Sequence, residues 1–193
     1  MRHVKKLSFL LFIILIMTCG CKDDSKTKVV GLINGNPLPQ TRFIGNTGSV
    51  IDLNSYMGKK NILLVFMRGF DGIICPYCTK QTSELINNLT AIEETGTKPF
   101  IVFPGPENKI PEFIHAVNSR INNDAESELP INLLLDVNLD AVRAMGIEHK
   151  LSKPTTLILD HKGTLVFSYI GAELTDRPSI DIILDELKKL SVK

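Results

Sequence analysis

Cys75-Pro76-Tyr77-Cys78 is the segment of this 193-residue chain whose residue types and spacing could do chemistry. It lies between the apolar run Asn61 to Met67 and a stretch, Thr79 to Thr95, patterned as a helix. A Cys-x-x-Cys pair where a strand turns into a helix is a place to make and break a disulfide. Two intervening residues let both sulfurs meet across the first helical turn, so the bond closes and opens with little backbone movement. Cys75 would then sit at the helix N-terminus, where unpaired N–H groups and the helix dipole favour a thiolate. It is the expected nucleophile. Cys78, one turn further in and expected to be the more buried, is the resolving thiol that releases a mixed-disulfide partner. Pro76 suits the first helical position, which needs no N–H donor.

Other uses of the pair fit less well. A zinc site would need two more ligands, yet His3 and Cys19 lie near the N-terminus, and His115, His149 and His161 are scattered singly. No metal or cofactor site is therefore assigned. A purely structural disulfide closing so short a loop would add little stability. A net charge of +1, with acids and bases interspersed, gives no basic stripe for nucleic acid.

The N-terminal residues bear on compartment. Arg2, Lys5 and Lys6 precede an apolar stretch, Leu7 to Met17, of the length of a signal-peptide core and too short to span a bilayer comfortably. Thr18-Cys19-Gly20-Cys21 follows and the chain turns abruptly polar at Lys22-Asp23-Asp24, which resembles a bacterial lipoprotein signal with Cys21 as the lipidated residue and Cys19 as the alternative. Cleavage before Cys21 removes Cys19 and consumes Cys21 in the anchor, so no odd thiol remains in an oxidising compartment. An uncleaved anchor or plain secretion would also put the domain outside the cytoplasm. The expected organisation is a signal peptide over 1–20, a tether over 21–30 and one domain over 31–193, lipid-anchored at the membrane in a bacterial cell envelope.

The elements that must position the pair alternate between strand and helix. Gly45 to Ser49 reads as a hairpin turn leading into Val50 to Leu53, and Ile62 to Met67 as a buried strand. Leu85, Ile86, Leu89 and Ile92 mark one helix face after the cysteines. Pro99 to Phe103 reads as a second buried strand, Ile110 to Ile121 as an amphipathic helix, Ile131 to Leu135 as a third strand, and Leu139, Val142 and Met145 as a short helix. Lys153 to Asp160 and Thr164 to Gly171, joined by His161-Lys162-Gly163, read as an antiparallel hairpin. A last helix follows Asp176-Arg177-Pro178, burying Ile180, Ile183, Leu184, Leu187 and Leu190. The order implies an α/β fold, a central mixed sheet with helices on both faces.

The CPYC pair after a buried strand, Lys153-Pro154-Thr155-Thr156 opening a hairpin, and the closing helix together resemble the thioredoxin superfamily over about residues 33–193. The resemblance implies a thioredoxin-like fold with Pro154 in the cis form against the redox pair. Such a proline would hold the backbone of Lys153 open for a partner's extended chain, making Pro154 a site residue beside Cys75 and Cys78.

Two branches are similar. One is the membrane-tethered extracytoplasmic thiol–disulfide oxidoreductases, which implies protein thiols and disulfides plus an electron donor as partners. The other is the alkyl hydroperoxide reductase/thiol-specific antioxidant (AhpC/TSA) family, which implies peroxide attack by Cys75, a sulfenic acid, and condensation with Cys78. The Pro-x-x-x-Thr-x-x-Cys constellation of true peroxiredoxins is not matched, because counting back from Cys75 puts Gly72 at the threonine position and Arg68 at the proline position. Arg68 could still face a thiolate, and Asp71 could accept a proton. Where thioredoxins commonly carry tryptophan before the pair stands Ile74, and the segment Phe70 to Ile74 is expected to form a distinct rim. The reading is a thiol–disulfide oxidoreductase, with a thiol peroxidase as first alternative. A non-enzymatic module holding a peptide, or copper on its thiolates, is the second.

Overall fold

The structure, a computed structural model, describes residues 38–70 and 72–191. The leader, Cys19, Cys21, the tether and Asp71 lie outside the described residues. No helix among the described residues is long and apolar enough to cross a membrane.

In chain order the elements are β1 (Arg42–Gly45), β2 (Val50–Asp52), β3 (Asn61–Phe66), α1 (Pro76–Asn87), α2 (Leu89–Glu94), β4 (Thr97–Pro104), α3 (Ile110–Ile121), β5 (Asn132–Asp136), α4 (Asp140–Ala144), β6 (Glu148–His149), β7 (Leu151–Ser152), β8 (Thr155–Leu159), β9 (Leu165–Ile170) and α5 (Ile180–Ser191). Seven strands form one sheet in the order β2-β1-β5-β4-β3-β8-β9. β3 runs parallel to β4 and antiparallel to β8, and β4 parallel to β5, so the sheet is mixed. The predicted architecture is the observed one.

Every residue of β3 is buried, as a strand covered on both faces requires. Its alternation sorts the core into two layers. Leu63, Val65 and Met67 join Leu85 of α1, Phe113 and Val117 of α3 and Ile183 and Leu187 of α5. Ile62, Leu64 and Phe66 join Phe100, Leu134, Leu157 and Val142 of α4 on the other face. A one-residue slip would exchange the two layers, so the register is tightly specified. Cys75 and Cys78 belong to the first layer.

The structure departs from the sequence reading in three places. The single helix expected from Thr79 to Thr95 is broken at Asn88, which caps α1 and begins α2; its side chain donates to the Glu84 carbonyl at 2.9 Å and competes with continuation of the ladder. A two-residue hairpin, β6–β7, stands where no element was expected, turned at Lys150 with φ 58°. Third, the Lys153–Pro154 bond is trans, since there is no cis peptide among the described residues. The local hydrogen bonding gives the reason. The Lys153 N–H donates to the Ile147 carbonyl at 2.8 Å, its own carbonyl accepts from the Ser152 and Thr155 hydroxyls at 3.0 and 3.1 Å, and the Pro154 carbonyl accepts from the Gly171 N–H at 2.8 Å. These bonds hold the intrinsically favoured trans isomer in place. They also use the backbone groups of Lys153 that a partner's extended chain was expected to pair with.

The segment between β3 and α1 is fixed by a close backbone approach. Gly69 has φ 89°, and a Cβ there would lie 2.0 Å from the Pro104 carbonyl oxygen. Only glycine accommodates both constraints. Gly69→Ala should therefore lower the urea midpoint of the domain by the equivalent of more than about 1 kcal/mol, and a midpoint equal to wild type would contradict this account.

Candidate functional site

Cys75 is the N-cap of α1 and Pro76 occupies its first turn, as expected. The Cys78 and Thr79 N–H groups donate to the Cys75 carbonyl at 3.0 and 3.2 Å, closing that turn. Thr79 ties it down from the side: its hydroxyl donates to the Pro76 carbonyl at 2.9 Å and accepts from the Arg120 Nε of α3 at 3.0 Å. The rim also takes the expected place. Phe70 and Ile74 pair as an antiparallel bridge and pack on the layer that holds the cysteines, and the Lys109 ammonium sits 4.7 Å from the Phe70 ring centroid. Ile73 and Tyr77 stand exposed beside the pair.

Cys78 is the more buried of the two, as expected, although both sulfurs lie in the core. Hydrogen bonding and charge separate them further. The Cys78 thiol bonds to Cys75 and is the largest influence holding the Cys75 thiol down to about 5 from 9.0; burial opposes it, and the Cys78 N–H, the Arg177 guanidinium and the Tyr77 N–H assist. Cys78 goes the opposite way. Its bond to Cys75 and its burial push it well above the ordinary thiol range, against the attraction of Arg177 and a bond from the Arg68 N–H. These opposite shifts favour Cys75 as the thiolate and Cys78 as the thiol, the division of labour that attack and resolution require.

Arg177 is the functional residue the sequence reading missed. Its Nη2 lies 3.4 Å from the Cys78 sulfur and 4.0 Å from that of Cys75, its Nη1 donates to Gln81 Oε1 at 2.6 Å, and its Nε donates to the Leu174 carbonyl at 3.2 Å. Gln81 is buried on α1, one turn beyond Cys78. The arm carrying Arg177 is anchored in turn: the Asp176 carboxylate accepts from the Tyr169 hydroxyl of β9 and from the Ala172 N–H at 2.8 Å. That bond and burial raise Tyr169 to about 12. The sequence showed Asp176-Arg177-Pro178 only as the start of the last helix, and 102 positions separate Arg177 from Cys75. The usable signal was topological: the loop after β9 returns to the end of the sheet where α1 begins.

Arg68 reaches the pair through its backbone, with its N–H toward Cys78. Pro154 is buried beside that segment, since the Ser152 N–H donates to the Arg68 carbonyl at 3.3 Å. Among the described residues no three His, Cys, Asp or Glu side chains gather as metal ligands. The Arg177 guanidinium, 3.4 and 4.0 Å from the two sulfurs, would repel a copper ion held there.

Residues 34–168 match the AhpC/TSA family. No curated protein matches the chain in sequence. The fold is similar to a cysteine mutant of the peroxiredoxin 6 of Arenicola marina, with TM-score 0.68 and 15% identity over 79% of this chain and 70% of that one. It is similar also to peroxiredoxin Q of Xanthomonas campestris (TM-score 0.60, 15% identity, 80% of this chain and 96% of that one) and to peroxidoxin BcpB from Mycobacterium tuberculosis (0.60, 17%, 77% and 92%).

A thiol held to about 5 fixes a pH dependence. Alkylation of Cys75 by iodoacetamide should be flat from pH 9 to 7 and fall by half near pH 5, whereas an ordinary thiol is still gaining rate at pH 8. Arg177→Gln should move that midpoint upward. The linked stability has a definite sign. The folded value is depressed, so the stabilisation is fully present above 9.0, declines as pH falls, and is gone below about 5. A midpoint near 8 in the alkylation profile would refute the thiolate assignment.

Proposed function

The chain belongs to the AhpC/TSA family of thiol-dependent redox proteins, and on that premise we propose that it is a thiol–disulfide oxidoreductase working through Cys75 and Cys78. The observation that carries this reading is the shared guanidinium: Arg177 touches both sulfurs of a pair set in one helical turn, one held as thiolate and the other as thiol. Such a pair is arranged for two successive exchanges at sulfur. The Cys75 thiolate attacks a partner disulfide, forming a mixed disulfide and expelling one thiolate. Cys78 loses its proton and attacks the Cys75 sulfur, expelling the second thiolate and leaving the Cys75–Cys78 disulfide. Two electrons pass from the pair to the partner, and a separate donor restores the dithiol.

A second reading, peroxide reduction, is favoured by the family match and by the cation beside Cys75. Here the thiolate would attack one peroxide oxygen and become a sulfenic acid as the O–O bond breaks and an alcohol or water departs; condensation with the Cys78 thiol would then form the disulfide and release a further water. Against it, Gly72 stands where a peroxide-binding threonine hydroxyl would be needed, and Arg68 where the proline would be. The leader pattern and Cys21 support a place for the enzyme in the cell envelope, anchored by lipid.

The reduced mature domain separates the readings when mixed in turn with insulin disulfides and with hydrogen peroxide, with free thiols followed by rapid quench. Disulfide exchange should outpace peroxide consumption by about tenfold or more. Cys78→Ser should trap a mixed disulfide at Cys75, and Cys75→Ser should abolish oxidation of the pair by either agent. Faster peroxide consumption, with a Cys75 sulfenic acid captured by dimedone in Cys78→Ser, would move the protein to the peroxidase reading.

A further inference from the structure

The second exchange asks more of the protein than the first, because the thiolate it needs must form on the buried Cys78. In the dithiol, three influences keep Cys78 protonated: its bond to Cys75, its burial and the negative charge on Cys75. Two of the three belong to Cys75 as a thiolate. Attack on a partner disulfide turns that thiolate into a neutral, bonded sulfur, and both disappear. Burial then stands alone against the two groups that favour a charge on Cys78, the Arg177 guanidinium and the Arg68 N–H.

Arg177 is placed for this moment. Its Nη2 lies 3.4 Å from the Cys78 sulfur and 4.0 Å from that of Cys75. Among the groups that favour a charge it is the strongest at Cys78, whereas at Cys75 it comes after the bond from the Cys78 thiol and the Cys78 N–H. Its Nη1 and Nε are bonded to Gln81 Oε1 at 2.6 Å and to the Leu174 carbonyl at 3.2 Å. Both acceptors are neutral, so neither bond depends on the charge of Cys75. A cation held in advance where charge will develop needs no reorganisation when the charge appears.

From this arrangement we propose that Arg177 is a catalytic residue of the resolving step, its guanidinium compensating the charge that forms on the Cys78 sulfur once Cys75 is tied into the mixed disulfide. This rests on the exchange reaction proposed above and assigns the control of its second half. The first attack switches on the second, and Cys78 stays a thiol until a partner is joined to Cys75. The balance closes without a further reactant. Cys78 gives its proton to solvent, its sulfur bonds that of Cys75, the S–S bond to the partner breaks, and the departing thiolate takes up a proton.

The test uses 4,4′-dithiodipyridine, a disulfide whose thiopyridone product is followed by absorbance and whose neutrality makes encounter independent of the charge at residue 177. Mixed in excess with the reduced protein near pH 8, it should release one thiopyridone as Cys75 attacks, at a rate that rises with reagent, and a second as Cys78 resolves, at a rate that does not. Cys78→Ser should keep only the first phase. Arg177→Gln should slow the second phase by about tenfold or more and the first by less than about threefold, because a Cys75 thiol raised somewhat from about 5 is still ionised at this pH. Arg177→Lys, which keeps the charge, should resolve at least about threefold faster than Arg177→Gln. The first phase reports an intact Cys75, so unequal slowing separates the loss of charge from general damage to the site. Equal slowing of both phases, an unaffected second phase, or equal second-phase rates in the two Arg177 variants overturns the assignment and leaves the exchange reaction in place. If the wild-type pair releases no thiopyridone, or only one, the exchange reaction itself fails.

Discussion

A guanidinium within reach of two buried sulfurs is the interaction on which the rest of this site depends. Burial alone would keep both thiols protonated and inert, because removing a thiolate from water is costly. The Arg177 cation, the free N–H groups at the start of α1 and the Cys78 thiol together reverse that cost at one sulfur only. For Arg177 to do so its own side chain must be held, and the hydrogen bonds to Gln81 and Leu174 hold it. The loop that presents it must be held as well. Tyr169, Asp176 and the tight approach of Gly171 to the Asp176 carbonyl supply that anchor, so β9 and the arm after it belong to the site as much as α1 does.

The fold explains how distant segments meet. β3 and β8 are neighbours near the centre of the sheet, and the connections leaving β3 and preceding β8 emerge at one end. That end receives the cysteines from the segment after β3, the buried Pro154 from the residues before β8, and the arginine arm from the residues after β9. The sheet is similar to that of peroxiredoxins of solved structure. The cation at the sulfurs is delivered by the arm before α5.

What the sequence disclosed follows from which interactions are local. The Cys-Pro-Tyr-Cys turn, the two-faced β3 strand and the α5 stripe of Ile180, Ile183, Leu184, Leu187 and Leu190 are encoded within a few residues of themselves, and each stands where the pattern put it. Family resemblance extended that reading to the correct architecture. It failed at Pro154, where the isomer is set by hydrogen bonds to Ile147, Ser152, Thr155 and Gly171 that no motif displays. The pairing of Arg177 with the sulfurs was hidden for the same reason: a three-residue run that reads as a helix start acquires its chemistry only when the hairpin folds back. Asn88 is a smaller instance, since an apolar stripe continues past it while its side chain caps the preceding turn.

The anchoring of Arg177 has an effect that reaches beyond the chemistry of exchange. Its bonds to the Gln81 amide oxygen and the Leu174 carbonyl are to neutral groups and do not require a thiolate. When the pair closes into a disulfide, the negative charge on Cys75 disappears and the guanidinium has no cause to leave. The mouth of the site thereby gains a unit of positive potential on oxidation and loses it on reduction. The state of two covalently joined atoms is displayed as a local electric field, so a partner approaching the oxidised protein meets a different surface from one approaching the reduced protein, with no change of fold.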